Sequence, residues 1–184
     1  MNKEWSDLNK TMQAQIRKND TYKMGIDTLF SLRSQLMETL VSFKEELSRE
    51  AFNSIPFINA DGYHSKTIAY SIWHIFRIED IVVHTVINED EQVFFAGNYQ
   101  ERINSPIITT GNELIKQQIA DFSKQLNLKE LYSYIFEVRE NTEKMLERLS
   151  YDELKRKIPE ERKGYLESLN VVNDNEKAIW LIDY

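Results

Sequence analysis

The sequence predicts an all-α protein, and three observations carry that expectation. Glycine and proline are scarce, five and three in 184 residues, and fall mostly between periodic segments. From Tyr22 onward the apolar residues Ile26, Leu29, Leu36, Leu40, Phe43 and Leu47 recur in steps of four and three, the seam of a bundle helix. No stretch shows convincing strand alternation; Gln92–Phe95 and Ile107–Thr109 come nearest.

The elements follow from the same spacing. Trp5, Leu8, Met12 and Ile16 form one stripe of a short first helix, and Asn19-Asp20-Thr21 breaks it and offers a new N-cap. The long helix from Tyr22 to Leu47 carries Arg33 in its seam, either an interior arginine seeking an acid or a side chain snorkelling from a splayed end. Ser48 to Lys66, with Pro56 and Asp61-Gly62, reads as a connection. A second long helix starts near Ser65 or Thr67 and ends near Asn88, and a loop runs from Glu89 to Gly111. Asn112 is placed to cap a third segment with Ile115, Ile119, Phe122 and Leu126 on one face. Asn127 and Glu130 stand in a capping-box relation before a helix through Leu131, Ile135, Val138, Thr142, Met145 and Leu149. Ser150-Tyr151-Asp152 bends the chain and Pro159 ends the element; Glu160 to Gly164 reads as a surface connection. Asp174 caps a last helix through Ala178 to Ile182, and this stump, about 15 Å long by helical rise, leaves an open groove in a bundle.

The length suits one domain with a real core, residues 1–184, of which 1–20 form a helical extension. A net charge of −7 argues against sequence-independent binding to nucleic acid. Cysteine is absent, which excludes a disulfide framework and a thiol nucleophile in the chain. The charged start Met1-Asn2-Lys3-Glu4 is unlike a signal peptide, and no run approaches the length of a membrane span, so the expectation is a cytoplasmic protein with no membrane partner.

Candidate chemistry centres on His74, which lies in a stretch that is apolar around most of a helix. An imidazole there is a ligand, a base or a hydrogen-bonded core group, because unpaired polar burial is costly. His84 lies three turns away, so the two cannot share an ion on a straight helix, and an exposed Asp80–His84 pair at i,i+4 accounts for it. His64 falls in a polar loop, with a solvent or capping role. Ser71 and His74 are i,i+3, but no nucleophile elbow surrounds the serine. Glu137, Glu140, Glu143 and Glu147 lie off the apolar seam, and no Glu-x-x-His motif accompanies them, so they read as a solvated face.

The segment Thr67-Ile-Ala-Tyr-Ser-Ile-Trp-His74-Ile-Phe-Arg-Ile-Glu-Asp80 resembles the second helix of DinB-like metal-binding bundles, and Asn127 to Leu154 is similar to their third helix and the turn after it. The resemblance runs from about Tyr22 to the C-terminus. It implies a four-helix bundle in up-down-down-up order and a divalent metal, Ni or Zn, held by the second-helix histidine and an H-x-x-x-H pair on the fourth helix. Only His74 carries over as a metal ligand; Asp174–Tyr184 contains no histidine, so the site is incomplete in this chain. In a chain continuing past Tyr184, the pair is expected within about one further bundle-helix length. The resemblance further implies a thiol-dependent S-transferase or a hydrolase, with a low-molecular-weight thiol or another small molecule as substrate. The metal there favours the reactive thiolate. Arg77 and Arg139 are anion contacts near such a site or, on the plainer reading, helix-surface arginines.

Two further readings stand beside the metal-dependent enzyme. One is a non-catalytic bundle whose open groove takes a helix from a partner or a second copy, giving a homodimer. The other is an interaction module assembled through the Trp5–Ile16 helix.

Overall fold

The computed structural model describes residues 3–60 and 65–172, and every regular element among them is helical. The stump expected from Asp174, and His64, lie outside the described residues. No described helix is long and apolar enough to cross a membrane. The described chain divides into two compact units, 3–47 with 143–156, and 48–142 with 157–172.

In the first unit, α1 (Lys3–Ile16) and α2 (Tyr22–Glu46) are joined by a short 3-10 turn at Asn19–Thr21. The two helices touch closely at Gly25, where an added Cβ would lie 2.7 Å from Ile16 Cγ1 and 2.8 Å from the Ile16 backbone nitrogen. Glycine is tolerated inside α2 because it permits that approach. The seam turns slightly from its expected line: Ile26 and Leu40 are buried, but Leu32 and Met37 are the most enclosed residues of α2. Arg33 takes the interior alternative, its Nε 3.7 Å from Glu143 Oε1, with both side chains largely covered. Tyr22 donates its hydroxyl to the Leu149 carbonyl at 2.7 Å and meets the Tyr151 ring edge-on.

The second unit begins with α3 (Arg49–Asn53), a helix inside the expected connection. It is started by Ser48, whose hydroxyl accepts from the Ala51 N–H. The second long helix keeps its predicted limits in two parts, α4 (Ile68–Asp80) and a π-helical continuation, Ile81–Asn88. Thr67 caps α4 by accepting from the Tyr70 N–H at 3.0 Å, and its hydroxyl meets Ser123 Oγ at 2.6 Å. The loop after Asn88 carries two short helices, α5 (Val93–Ala96) and α6 (Tyr99–Ile103), and no strand forms at Gln92–Phe95 or Ile107–Thr109.

The third segment is shorter than its spacing suggests. Helix α7 runs Gln117–Gln125, after Lys116 in a positive-φ conformation, and Ile115 is left outside it and exposed. Asn112 does not cap α7, because residues 107–113 are folded back along α4 instead. Arg49 closes the other end, its Nη2 donating to the carbonyls of Ser123, Lys124 and Leu126, at a helix C-terminus where carbonyls run short of intrahelical donors. Helix α8 (Leu128–Arg148) starts as expected, with Asn127 Oδ1 accepting from Lys129 and Glu130 N–H. Its residues to Thr142 belong to the second unit and those from Glu143 to the first.

The expected surface connection at Glu160–Gly164 is instead the first half of α9 (Glu160–Ser168). Pro159, in extended conformation, precedes two acidic residues in the first turn, a favourable helix start. Leu166 secures the helix by burial in a cluster with Ile81, Val86, Val171 and Val172. Four charged residues in a row, Glu160 to Lys163, hid this helix, since a single buried apolar anchor gives no readable period.

Candidate functional site

One face of α4 carries most of the polar chemistry of the second unit. Tyr70, His74 and Arg77 stand at i, i+4 and i+7, so they line one stripe. Each donates to a backbone carbonyl of the loop before α7. Tyr70 Oη reaches Gly111 O at 3.0 Å, His74 Nδ1 reaches Thr110 O at 2.7 Å, and Arg77 Nε reaches Ile108 O at 3.0 Å. The loop runs antiparallel to the helix and is fastened to it at three points. Gly111 is required where the loop turns against Tyr70: its φ is +79°, and an added Cβ would lie 3.0 Å from Tyr70 Cε2.

His74 is half-buried and stacks on Tyr70, ring centroids 5.5 Å apart and planes 10° from parallel. Lys66 places its ammonium 4.6 Å from the Tyr70 centroid. Burial holds the His74 pKa below the ordinary imidazole value; the Thr110 bond and Glu113 oppose this, while Lys66 adds to it. A carbonyl can only accept, so Nδ1 carries the proton in the neutral ring and Nε2 carries the lone pair. This is the arrangement of histidines that bind metals through Nε2. Glu113 accepts a short hydrogen bond from the Thr109 hydroxyl through Oε1. Its Oε2 and the Thr110 hydroxyl are buried and have no hydrogen-bond partner among the described residues.

At the other end of the stripe the residues behave unlike the sequence reading. Arg77 is fully buried, which removes it as a surface arginine or a free anion contact. Its Nη1 pairs with Asp80 Oδ2 at 3.2 Å, its Nη2 donates to Gln92 Oε1 at 2.6 Å, and its guanidinium lies 4.3 Å from the Phe94 centroid. Asp80 does not pair with His84. It accepts from the backbone N–H groups of Val93 at 2.8 Å and Phe94 at 3.0 Å, and from Tyr134 Oη at 2.8 Å. Burial raises the Asp80 pKa, against the pull of Arg77, the Phe94 N–H and Tyr134 towards the charged form. The network anchors the first turn of α5 to α4, which is a structural role.

His84 is buried rather than exposed, and its Nδ1 lies 2.6 Å from Asp90 Oδ1. The Asp80 carboxylate is already engaged by Arg77, Tyr134 and the Val93 and Phe94 N–H groups, and His84, in the π-helical Ile81–Asn88 segment, pairs with Asp90 instead. Nothing in single-residue spacing signals that change of partner.

Arg139, the other proposed anion contact, is partly buried on α8 and engaged in contacts of its own. Among the glutamates set aside as a solvated face, Glu137 accepts from Tyr99 Oη at 2.6 Å and Glu143 pairs with Arg33, while Glu140 and Glu147 are exposed. Ser71 donates to the Thr67 carbonyl at 2.8 Å, an ordinary in-helix bond for serine. Among the described residues no three histidine, aspartate or glutamate side chains gather as a metal cluster. Glu113 and Thr110 were invisible to sequence reasoning. Their signal, Thr109-Thr110-Gly111, marks a turn but not what the turn folds against.

No family model, curated protein or solved structure matches this chain.

Proposed function

We propose that this chain is a divalent-metal-dependent protein of the DinB-like type, in which His74 supplies one ligand from the second long helix of an up-down-down-up bundle. The observation that supports the reading most is the Nδ1–Thr110 bond, which leaves Nε2 as the free donor on a ring kept neutral by its surroundings. Glu113 Oε2, a buried carboxylate oxygen without a donor, lies on the loop that holds His74. A bound nickel or zinc ion would supply Lewis acidity and lower the pKa of a coordinated thiol or water. His74 would hold the ion, the Thr110 carbonyl would fix the ring, and Tyr70 would shield one ring face from solvent. The substrate class that goes with this reading is a low-molecular-weight thiol in an S-transfer, or a hydrolysable small molecule.

The test is metal binding by the purified chain. Calorimetric titration with Ni or Zn is expected to show weak binding by the wild type, as befits a site lacking two of its histidines, and none by His74→Ala. Metal-free protein that binds neither ion at neutral pH would end the proposal.

A further inference from the structure

A cavity of about 380 Å³ lies within the second unit, between residues 85–95 and α9, and His74 is not among the residues lining it. Binding sites for small molecules begin at about 300 Å³. Thr85 and Gln92, both buried, line the cavity and are fixed there. Gln92 Nε2 donates to Thr85 Oγ1 at 2.7 Å, and Arg77 Nη2 donates to Gln92 Oε1 at 2.6 Å. Phe95, Tyr165 and Leu169 supply aromatic and apolar surface. Glu89, Asp90 and Glu91 line the same space, where Arg162 pairs with Glu89. Three carboxylates against one guanidinium leave the lining negative.

An acidic run alone is a solvated surface; Asp90 sets this one apart. His84 holds it twice, its carbonyl accepting from the Asp90 N–H at 3.0 Å and its Nδ1 lying 2.6 Å from Asp90 Oδ1. The imidazole is 6% exposed and the carboxylate 54%, so a buried ring orients an open acid. His84 Nε2 is buried with no hydrogen-bond partner among the described residues, a condition that proteins seldom keep without a use for it. We propose that the cavity binds a small organic amine, with its ammonium on the Asp90 and Glu91 carboxylates and its hydrocarbon part against Phe95, Tyr165 and Leu169. A charged hydrogen bond to a carboxylate that is already oriented loses little freedom on binding. The aromatic faces attract an ammonium as well as covering its alkyl chain. A bare metal ion would leave that apolar surface uncovered, and an anion would meet a negative lining. The guanidinium of Arg162 is balanced by Glu89, so it does not repel the amine from the other two acids.

Titration of the full chain with n-pentylamine and with 1-pentanol, its neutral counterpart of equal length, tests this by backbone-amide NMR shifts. The amine is expected to move the amides of residues 85–95 and 162–169 saturably, and the alcohol to bind at least about tenfold more weakly. Asp90→Asn keeps an oxygen to accept from His84 but loses the charge. It is expected to weaken the amine about tenfold and leave the alcohol unchanged. Equal binding of amine and alcohol by the wild type overturns the proposal, and that comparison needs no variant to fold. Shifts that fail to saturate, or that spread over the acidic surface and vanish at physiological salt, overturn it too. His74→Ala is expected to bind the amine as the wild type does, so this site and the metal reading stand or fall separately. Loss of amine binding in that variant, with its fold intact, would place the amine elsewhere and refute the assignment.

Discussion

Arg77 and Asp80, one turn apart on α4, form a completely buried ion pair with 3.2 Å between Nη1 and Oδ2. The further hydrogen bonds to the Asp80 carboxylate come from the start of α5 and from α8, and those from the Arg77 side chain go to Ile108 and Gln92. The pair therefore joins four segments of the second unit. Removing one partner leaves the other charge buried without compensation. Asp80→Ala is expected to lower unfolding stability by about 3–5 kcal/mol in urea denaturation. The double variant Arg77→Met/Asp80→Leu should cost clearly less than the sum of the two single substitutions. Additive losses would show that the ion pair itself is not the coupled element.

Gly111 sits at φ +79° with Tyr70 against the position of a Cβ. Gly111→Ala is expected to cost about 1–2 kcal/mol, since an L-residue in that region is strained. The variant should also loosen the Thr110 carbonyl from His74, which hydrogen–deuterium exchange would report as faster exchange across residues 107–113. Unchanged exchange there would mean that the loop is fixed without this glycine.

His74 makes stability depend on pH in a definite direction. Burial lowers its folded pKa below 6.5, the ordinary value, so the unfolded chain binds more protons between the two values. Its contribution is fully present above about pH 6.5 and is lost as pH falls from there through the lowered folded value. His74→Gln, whose amide can still donate to Thr110, should show a flatter stability profile across that window in urea unfolding at a series of pH values. A profile as steep as wild type would assign the dependence to other groups.

Thr67 caps α4 and also meets Ser123 of α7 in a buried hydroxyl pair. Thr67→Ala is expected to cost about 1–2 kcal/mol, the upper range for a lost N-cap, because the bond to Ser123 goes too, although Ser123 keeps its bond to the Ile119 carbonyl. Thr67→Ser keeps both bonds and should recover most of the loss; failure to do so would indicate that the methyl group, not the hydroxyl, carries the contribution.

Sequence periodicity was enough for the long helices, but not for the short ones at Arg49–Asn53, Val93–Ala96, Tyr99–Ile103 and Glu160–Ser168. Long apolar periods fixed α2 and α8 almost to the residue, and Thr67 and Asn127 marked starts because capping is a local hydrogen bond between neighbours in the chain. It also marked His74 as an imidazole in apolar company. The tertiary structure decided the rest. Which carbonyl met His74, and that Arg77 was interior, depend on a loop folding back thirty or more residues along the chain. That His84 meets Asp90, while Asp80 turns to Arg77, Tyr134 and the start of α5, is likewise a product of packing. Periodicity reports what one helix face needs, but partners across a loop are selected by the free energy of burying polar groups together, and that quantity exists only once the chain has closed on itself.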